Sequence, residues 1–67
     1  MTTNPTSDGL QIIREKDRFR LTSISRVHWW RLERMNRVPK RIRLGENSVG
    51  WLRGEIEGWI KRKAAGR

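Results

Sequence analysis

Basic residues dominate the chain between residues 26 and 43, which holds seven arginines and lysines but one acid, Glu33. A guanidinium group donates paired hydrogen bonds to O6 and N7 of guanine, and it binds phosphate oxygens in the same way. This composition favours binding to DNA, with an ordinary solvated helix face as the alternative.

The first of these residues lie on a predicted helix of about three turns. Ser25 is a natural N-cap, because its hydroxyl accepts a hydrogen bond from a backbone N–H in the first turn. Asn36 tolerates the left-handed conformation that ends helices, and Pro39 prevents further continuation.

The two sides of this helix have different predicted roles. Trp29 and Leu32 share one side and are expected to pack in the core. On the other side, Arg26 and Arg31 are candidates for reading bases, and Val27 for contact with a thymine methyl.

Other residues of the segment have less specific roles. Arg34 and Arg37 are assigned to phosphate. Trp30 either lies along sugar and phosphate or covers a boundary, and His28 is either a base contact or a hydrogen-bonded boundary residue. The predicted DNA-contacting set is Ser25, Arg26, Val27, His28, Trp30, Arg31, Arg34, Arg37, Lys40, Arg41 and Arg43.

An alternating pattern after Pro39 predicts a β-hairpin. Arg41 and Arg43 lie on one side of an extended segment, and Ile42 and Leu44 on the other. A turn at residues 45–48 leads into a second extended segment at 49–51, with Gly45 or Asn47 suited to positive φ. A hairpin next to a basic helix is a wing.

A final amphipathic helix is predicted over residues 52–63, followed by a frayed end at 64–67. Gly54 and Gly58 weaken it by about 1 kcal/mol each relative to alanine, which suggests close approach to the hairpin. The complete predicted core is Leu21, Ile24, Trp29, Leu32, Ile42, Leu44, Trp51, Ile56, Trp59 and Ile60.

The amino-terminal part is less informative. Residues 1–9 have the composition of a disordered tail. Residues 10–13 are predicted to form an edge strand or an extended segment, and residues 14–21 a short helix with few apolar positions. Residues 10–63 are predicted to form one domain.

Composition narrows the function. The chain has 67 residues, a net charge of +9, no cysteine and one histidine. Thiolate and histidine-rich metal sites are therefore excluded, and no cofactor is expected. No nucleophile has a matching base, so an enzyme is not predicted. Nucleic acid is the expected partner, with an anionic membrane surface as the alternative, and the location is expected to be cytoplasmic and nucleoid-associated.

The order and spacing of several short motifs resemble the AlpA family of small phage and prophage regulators, which share a winged helix-turn-helix with MerR-like activators and many excisionases. The resemblance is carried by Ile13-Arg14-Glu15, Ile24-Ser25-Arg26, Arg31-Leu32-Glu33-Arg34, Val38-Pro39-Lys40-Arg41, Leu44-Gly45, Val49-Gly50-Trp51, Glu55-Ile56 and Trp59. The chain departs from the family at Ser23 and Asn36, where glycine is usual, and at Glu46 and Asn47 in the wing tip.

The resemblance implies a mainly α fold with a small β-hairpin, in which three helices and a wing form a winged helix-turn-helix. It implies either an excisionase, the recombination directionality factor of a tyrosine integrase, or a regulator of an integrase promoter. The first is preferred for so small a chain, which is expected to be a monomer that assembles head-to-tail on DNA. A winged-helix protein-interaction module is the alternative from another class.

Overall fold

The computed structural model describes residues 10–67 and confirms the predicted fold class. The elements are β1 (Ile12–Ile13), α1 (Glu15–Thr22), α2 (Arg26–Arg34), β2 (Ile42–Gly45), β3 (Ser48–Leu52) and α3 (Arg53–Ala65). The tail predicted at residues 1–9 lies outside the described residues. None of the helices between residues 10 and 67 has the length and apolarity to span a membrane.

Helices α1 and α2 form the helix-turn-helix, and the residues at its turns fit their backbone roles. Helix α1 ends at Ser23, which has φ 60° and whose N–H donates to Phe19 O at 2.7 Å. The predicted N-cap is confirmed, because Ser25 Oγ accepts from His28 N at 3.2 Å. Asn36 has φ 59°, so it adopts the left-handed conformation predicted after α2.

The three strands form one antiparallel sheet in the order β1-β3-β2. The predicted edge strand is confirmed, since Ile13 pairs with Trp51 of β3. Gly50 is required at its position because a Cβ there would lie 2.7 Å from Ile12 Cγ2 and 2.9 Å from Ile13 O. The close approach expected at Gly58 is wrong, since a Cβ there would meet only Arg62 Nη1 at 3.5 Å.

The hairpin differs from the prediction in its turn. Within residues 10–67 the only non-glycine residues with positive φ are Ser23 and Asn36, and none of the glycines has one, so the expectation for Gly45 or Asn47 is wrong. The register shifts between Arg43 and Gly45 instead. This irregularity breaks the alternation of sides, which leaves Leu44 43% exposed rather than in the predicted core.

The core lies between the sheet and the three helices. Its buried apolar members are Ile13, Trp29, Val38, Trp51 and Ile56, and the partly buried Ile24, Leu32, Val49, Trp59 and Ile60 pack against them. Ile42 is half-buried. Leu21 was predicted to join them but is 38% exposed, because Arg18 takes the inward position of α1. Helix α3 continues to Ala65, two residues beyond the predicted Lys63.

Candidate DNA-binding surface

Helix α2 presents a basic face to solvent. The exposed residues of α2 are Arg26, Val27, His28, Trp30, Arg31 and Arg34, and three further basic residues that follow it, Arg37, Lys40 and Arg43, are also exposed. Ser25 is exposed as well, but its hydroxyl oxygen is occupied by the cap. The structure therefore places nine of the eleven residues predicted to contact DNA on one helix and the loop and strand that follow, with free side-chain groups.

The acid of this segment points inward. The Glu33 side chain is buried and accepts three hydrogen bonds, from Trp29 Nε1 at 2.9 Å, from Trp51 Nε1 at 2.8 Å and from Arg41 Nε at 2.8 Å. Two indoles and one guanidinium thus satisfy a buried carboxylate, which would otherwise be costly to remove from water. Since Trp29 and Glu33 lie on α2 and Trp51 lies on β3, this carboxylate joins the basic helix to the wing.

The inward position of Glu33 decides the charge of the outward surface. Arg41 neutralises Glu33 and has its guanidinium 5.5 Å from the Trp51 ring, so it is partly a structural residue. The other six basic residues between positions 26 and 43 have no carboxylate within 4.0 Å among residues 10–67. The outward face of this segment is therefore basic without an opposing acid.

Trp30 forms a ridge on the basic face. It is 45% exposed, and the Arg34 guanidinium lies 4.8 Å from its ring centroid, a cation–π contact. One shallow depression beside it is lined by Arg26, Val27, Trp30 and Arg41, and a second by Trp30, Arg31, Arg34 and Met35. More than half of the Trp30 surface is buried, so both roles left open for it, contact with sugar and phosphate and coverage of a boundary, stay predictions.

A second buried charge supports α2 from behind. The Arg18 side chain is fully buried, with its guanidinium 4.9 Å from the Trp29 ring and 5.8 Å from the Trp51 ring. It pairs with Glu15 and donates to Ile24 O at 2.7 Å, next to the start of α2. Arg18 therefore fixes the helix-turn-helix against the tryptophan core.

Neither Glu33 nor Arg18 was identified from the sequence as a structural residue. Glu33 had a signal, because it follows Trp29 by four residues and so lies on the core side of the helix. Arg18 had none, since an arginine in a helix with few apolar residues is expected at the surface.

The wing carries less basic charge than α2. Arg43 is exposed on β2, while the turn between the strands holds Glu46 and Asn47, both exposed. A carboxylate at the tip of the hairpin opposes insertion between phosphates. The basic charge of the wing therefore lies on its strand β2 and not at its tip.

Comparison with protein families gives a match. The family described as prophage CP4-57 regulatory protein (AlpA) matches residues 11–64, which include every element of the fold except the last residue of α3. Neither the curated proteins nor the solved structures gave a match.

Proposed function

The chain belongs to the AlpA family of prophage regulatory proteins, and from this premise we propose that it binds a specific duplex DNA site with α2 in the major groove. The observation that carries the proposal is the inward position of Glu33, which leaves the outward face of α2 basic and apolar without an acid. A major groove about 12 Å wide admits one helix, and its base edges offer acceptors to arginine and a methyl group to apolar side chains.

The roles proposed for individual residues follow from their positions. Arg26 and Arg31 are in the first two turns of α2, where recognition helices read bases. Val27 is 61% exposed between Arg26 and Trp30, which suits contact with a thymine methyl. Arg34 stacks on Trp30, and the pair is placed to lie against sugar and phosphate at the groove edge.

Phosphate contacts are assigned to the exposed basic residues outside α2. Arg37 and Lys40 follow the helix, and Arg43 is on the wing. Arg41 contributes less than the sequence predicts, because Glu33 neutralises it. Each of these contacts positions the protein on the duplex without reading its sequence.

At the level of biological role we infer a recombination directionality factor that acts with a tyrosine integrase of a prophage. A small domain with an unopposed basic face on α2 and the segment that follows it is suited to bind and shape an attachment site. The description of the family as regulatory favours a second candidate, control of a promoter, which uses the same surface.

Binding to a duplex selected from a randomised pool tests the proposal. Arg26→Ala or Arg31→Ala is expected to reduce discrimination against the wrong base by about 1 to 3 kcal/mol at one position. Arg43→Ala is the matched control, since loss of a phosphate contact weakens selected and scrambled duplexes equally. An equal loss of affinity for selected and scrambled duplexes in all three variants would contradict base reading by α2.

The two biological roles are separated by a pair of assays with the same protein. Stimulated excision in a purified attachment-site reaction with the cognate integrase supports the directionality role. Unchanged excision together with activation or repression of a reporter at the integrase promoter supports the transcriptional role instead.

A further inference from the structure

We propose that the carboxyl-terminal half of α3 is a second DNA contact, which binds phosphates beside the site read by α2. The inference rests on the proposed function and assigns a role to Arg62 and Lys63, which the sequence did not connect with binding. Its basis is a group of four basic side chains around Trp59, here named the Trp59 strip: Arg37, Lys40, Arg62 and Lys63.

The strip is formed where α3 packs against the loop that follows α2. Trp59 Nε1 donates to Arg37 O at 3.1 Å and so holds the loop to the helix. Arg37, Lys40 and Arg62 line the open depression at this junction, with Trp59 as one wall. Lys63 also lies beside this tryptophan, with its Nζ 5.9 Å from the centroid of the Trp59 ring. Arg37 and Arg62, which are 25 positions apart in the chain, thus lie beside the same indole.

The charge of the strip is not balanced. None of its four basic side chains has a carboxylate within 4.0 Å among residues 10–67, and Glu55 is the single acid that lines the depression. The other end of α3 differs, because Arg53 Nε pairs with Glu57 Oε2 at 2.8 Å. The unbalanced half of the helix therefore attracts an anion, and the paired half does not.

The position of the strip identifies the anion as the DNA backbone. Helix α2 has nine residues and is about 13 Å long, which covers roughly four base pairs. The part of the protein that the structure describes measures 38 × 35 × 19 Å and is longer than α2 in two directions, so a duplex bound by α2 extends beyond the ends of that helix. Arg37 follows the last residue of α2, Arg34, by three positions, which makes the strip continuous with the basic face.

A salt titration of binding tests the strip, with the double variant Arg62→Gln/Lys63→Gln compared with wild type. The probe is a selected duplex of about 20 base pairs, followed by fluorescence anisotropy between about 50 and 200 mM salt. Two lost phosphate contacts are expected to reduce the salt slope by about 1.8, so that wild type loses about 12-fold more affinity than the variant over this range. The preference for the selected over a scrambled duplex is expected to be unchanged.

Two further variants control for net charge. Lys16→Gln/Arg20→Gln removes the same charge from exposed positions of α1 outside the strip and is expected to keep the wild-type slope. Glu55→Gln removes the acid of the depression and is expected to tighten binding and steepen the slope. Weaker binding by Glu55→Gln would contradict a phosphate contact at this place.

The outcomes separate this inference from the proposed function. A wild-type slope in Arg62→Gln/Lys63→Gln, or an equal reduction in the α1 control, overturns the strip. If Arg26→Ala loses discrimination in the same assay, base reading by α2 is supported even when the strip is overturned. A reduced salt slope in the strip variant together with full discrimination in Arg26→Ala supports the strip and contradicts base reading by α2. Absence of duplex binding by the wild-type protein overturns both proposals.

Discussion

The substitution Glu33→Ala tests how much the buried carboxylate of Glu33 stabilises the fold. The substitution leaves two indole N–H groups without an acceptor, and Trp29 and Trp51 are each only 1% exposed. A hydrogen bond to a charged acceptor contributes roughly 1.5 to 3 kcal/mol, and the Arg41 pair adds at most about 1 because that side chain is partly exposed. Because such contributions are not fully additive, we expect a loss of about 3 to 5 kcal/mol.

This loss is comparable with the whole stability of so small a domain. At 0.05 to 0.15 kcal/mol per residue, a chain of this length has roughly 3 to 10 kcal/mol. Glu33→Gln is expected to cost only about 1 to 2 kcal/mol, because its amide oxygen still accepts from both indoles while its NH₂ group faces the Arg41 guanidinium. Urea unfolding followed by circular dichroism measures both variants.

A matched control and a spectroscopic readout separate the buried site from an ordinary ion pair. The Arg53–Glu57 pair has the same 2.8 Å separation but side chains 41% and 40% exposed, so Glu57→Ala is expected to cost less than about 1 kcal/mol. In Glu33→Gln, the indole N–H resonances of Trp29 and Trp51 are expected to move and that of Trp30 to stay. Equal losses in Glu33→Ala and Glu57→Ala would refute the reasoning.

Three further results are expected. Gly50→Ala is expected to destabilise by at least about 1 to 3 kcal/mol because its Cβ meets Ile13 O, whereas Gly58→Ala is expected to stabilise by up to about 1 kcal/mol; urea midpoints that shift in the same direction would contradict this pair. Trp30→Ala is expected to leave the domain folded and to weaken duplex binding, whereas Trp51→Ala is expected to lose about 3 to 5 kcal/mol, and circular dichroism distinguishes them. Wild-type affinity for a duplex is expected to fall roughly a thousandfold between about 50 and 200 mM salt if about six phosphates are neutralised, and a flat titration would exclude the basic face as the interface.

The local features of the helix-turn-helix were readable in the sequence because they depend on neighbouring residues. Ser25 caps α2 through a hydrogen bond three residues away, and Asn36 ends the helix through its own backbone. The separation of Trp29 from Trp30 follows from helical periodicity alone. These features and the excess of basic residues predicted a DNA-facing helix, and together with the resemblance to the AlpA family they predicted a winged helix-turn-helix.

Tertiary structure decided which charged side chains remain free for a partner. Residue type places Glu33 and Arg18 at the surface, yet both are buried, because indole N–H groups and aromatic faces from separate elements converge on them. The same packing removes Arg41 from the free basic set and brings Arg62 to Arg37. Charge along the chain is a property of the sequence, but the sign and continuity of a surface depend on which distant groups neutralise each other, and only the folded chain specifies those distances.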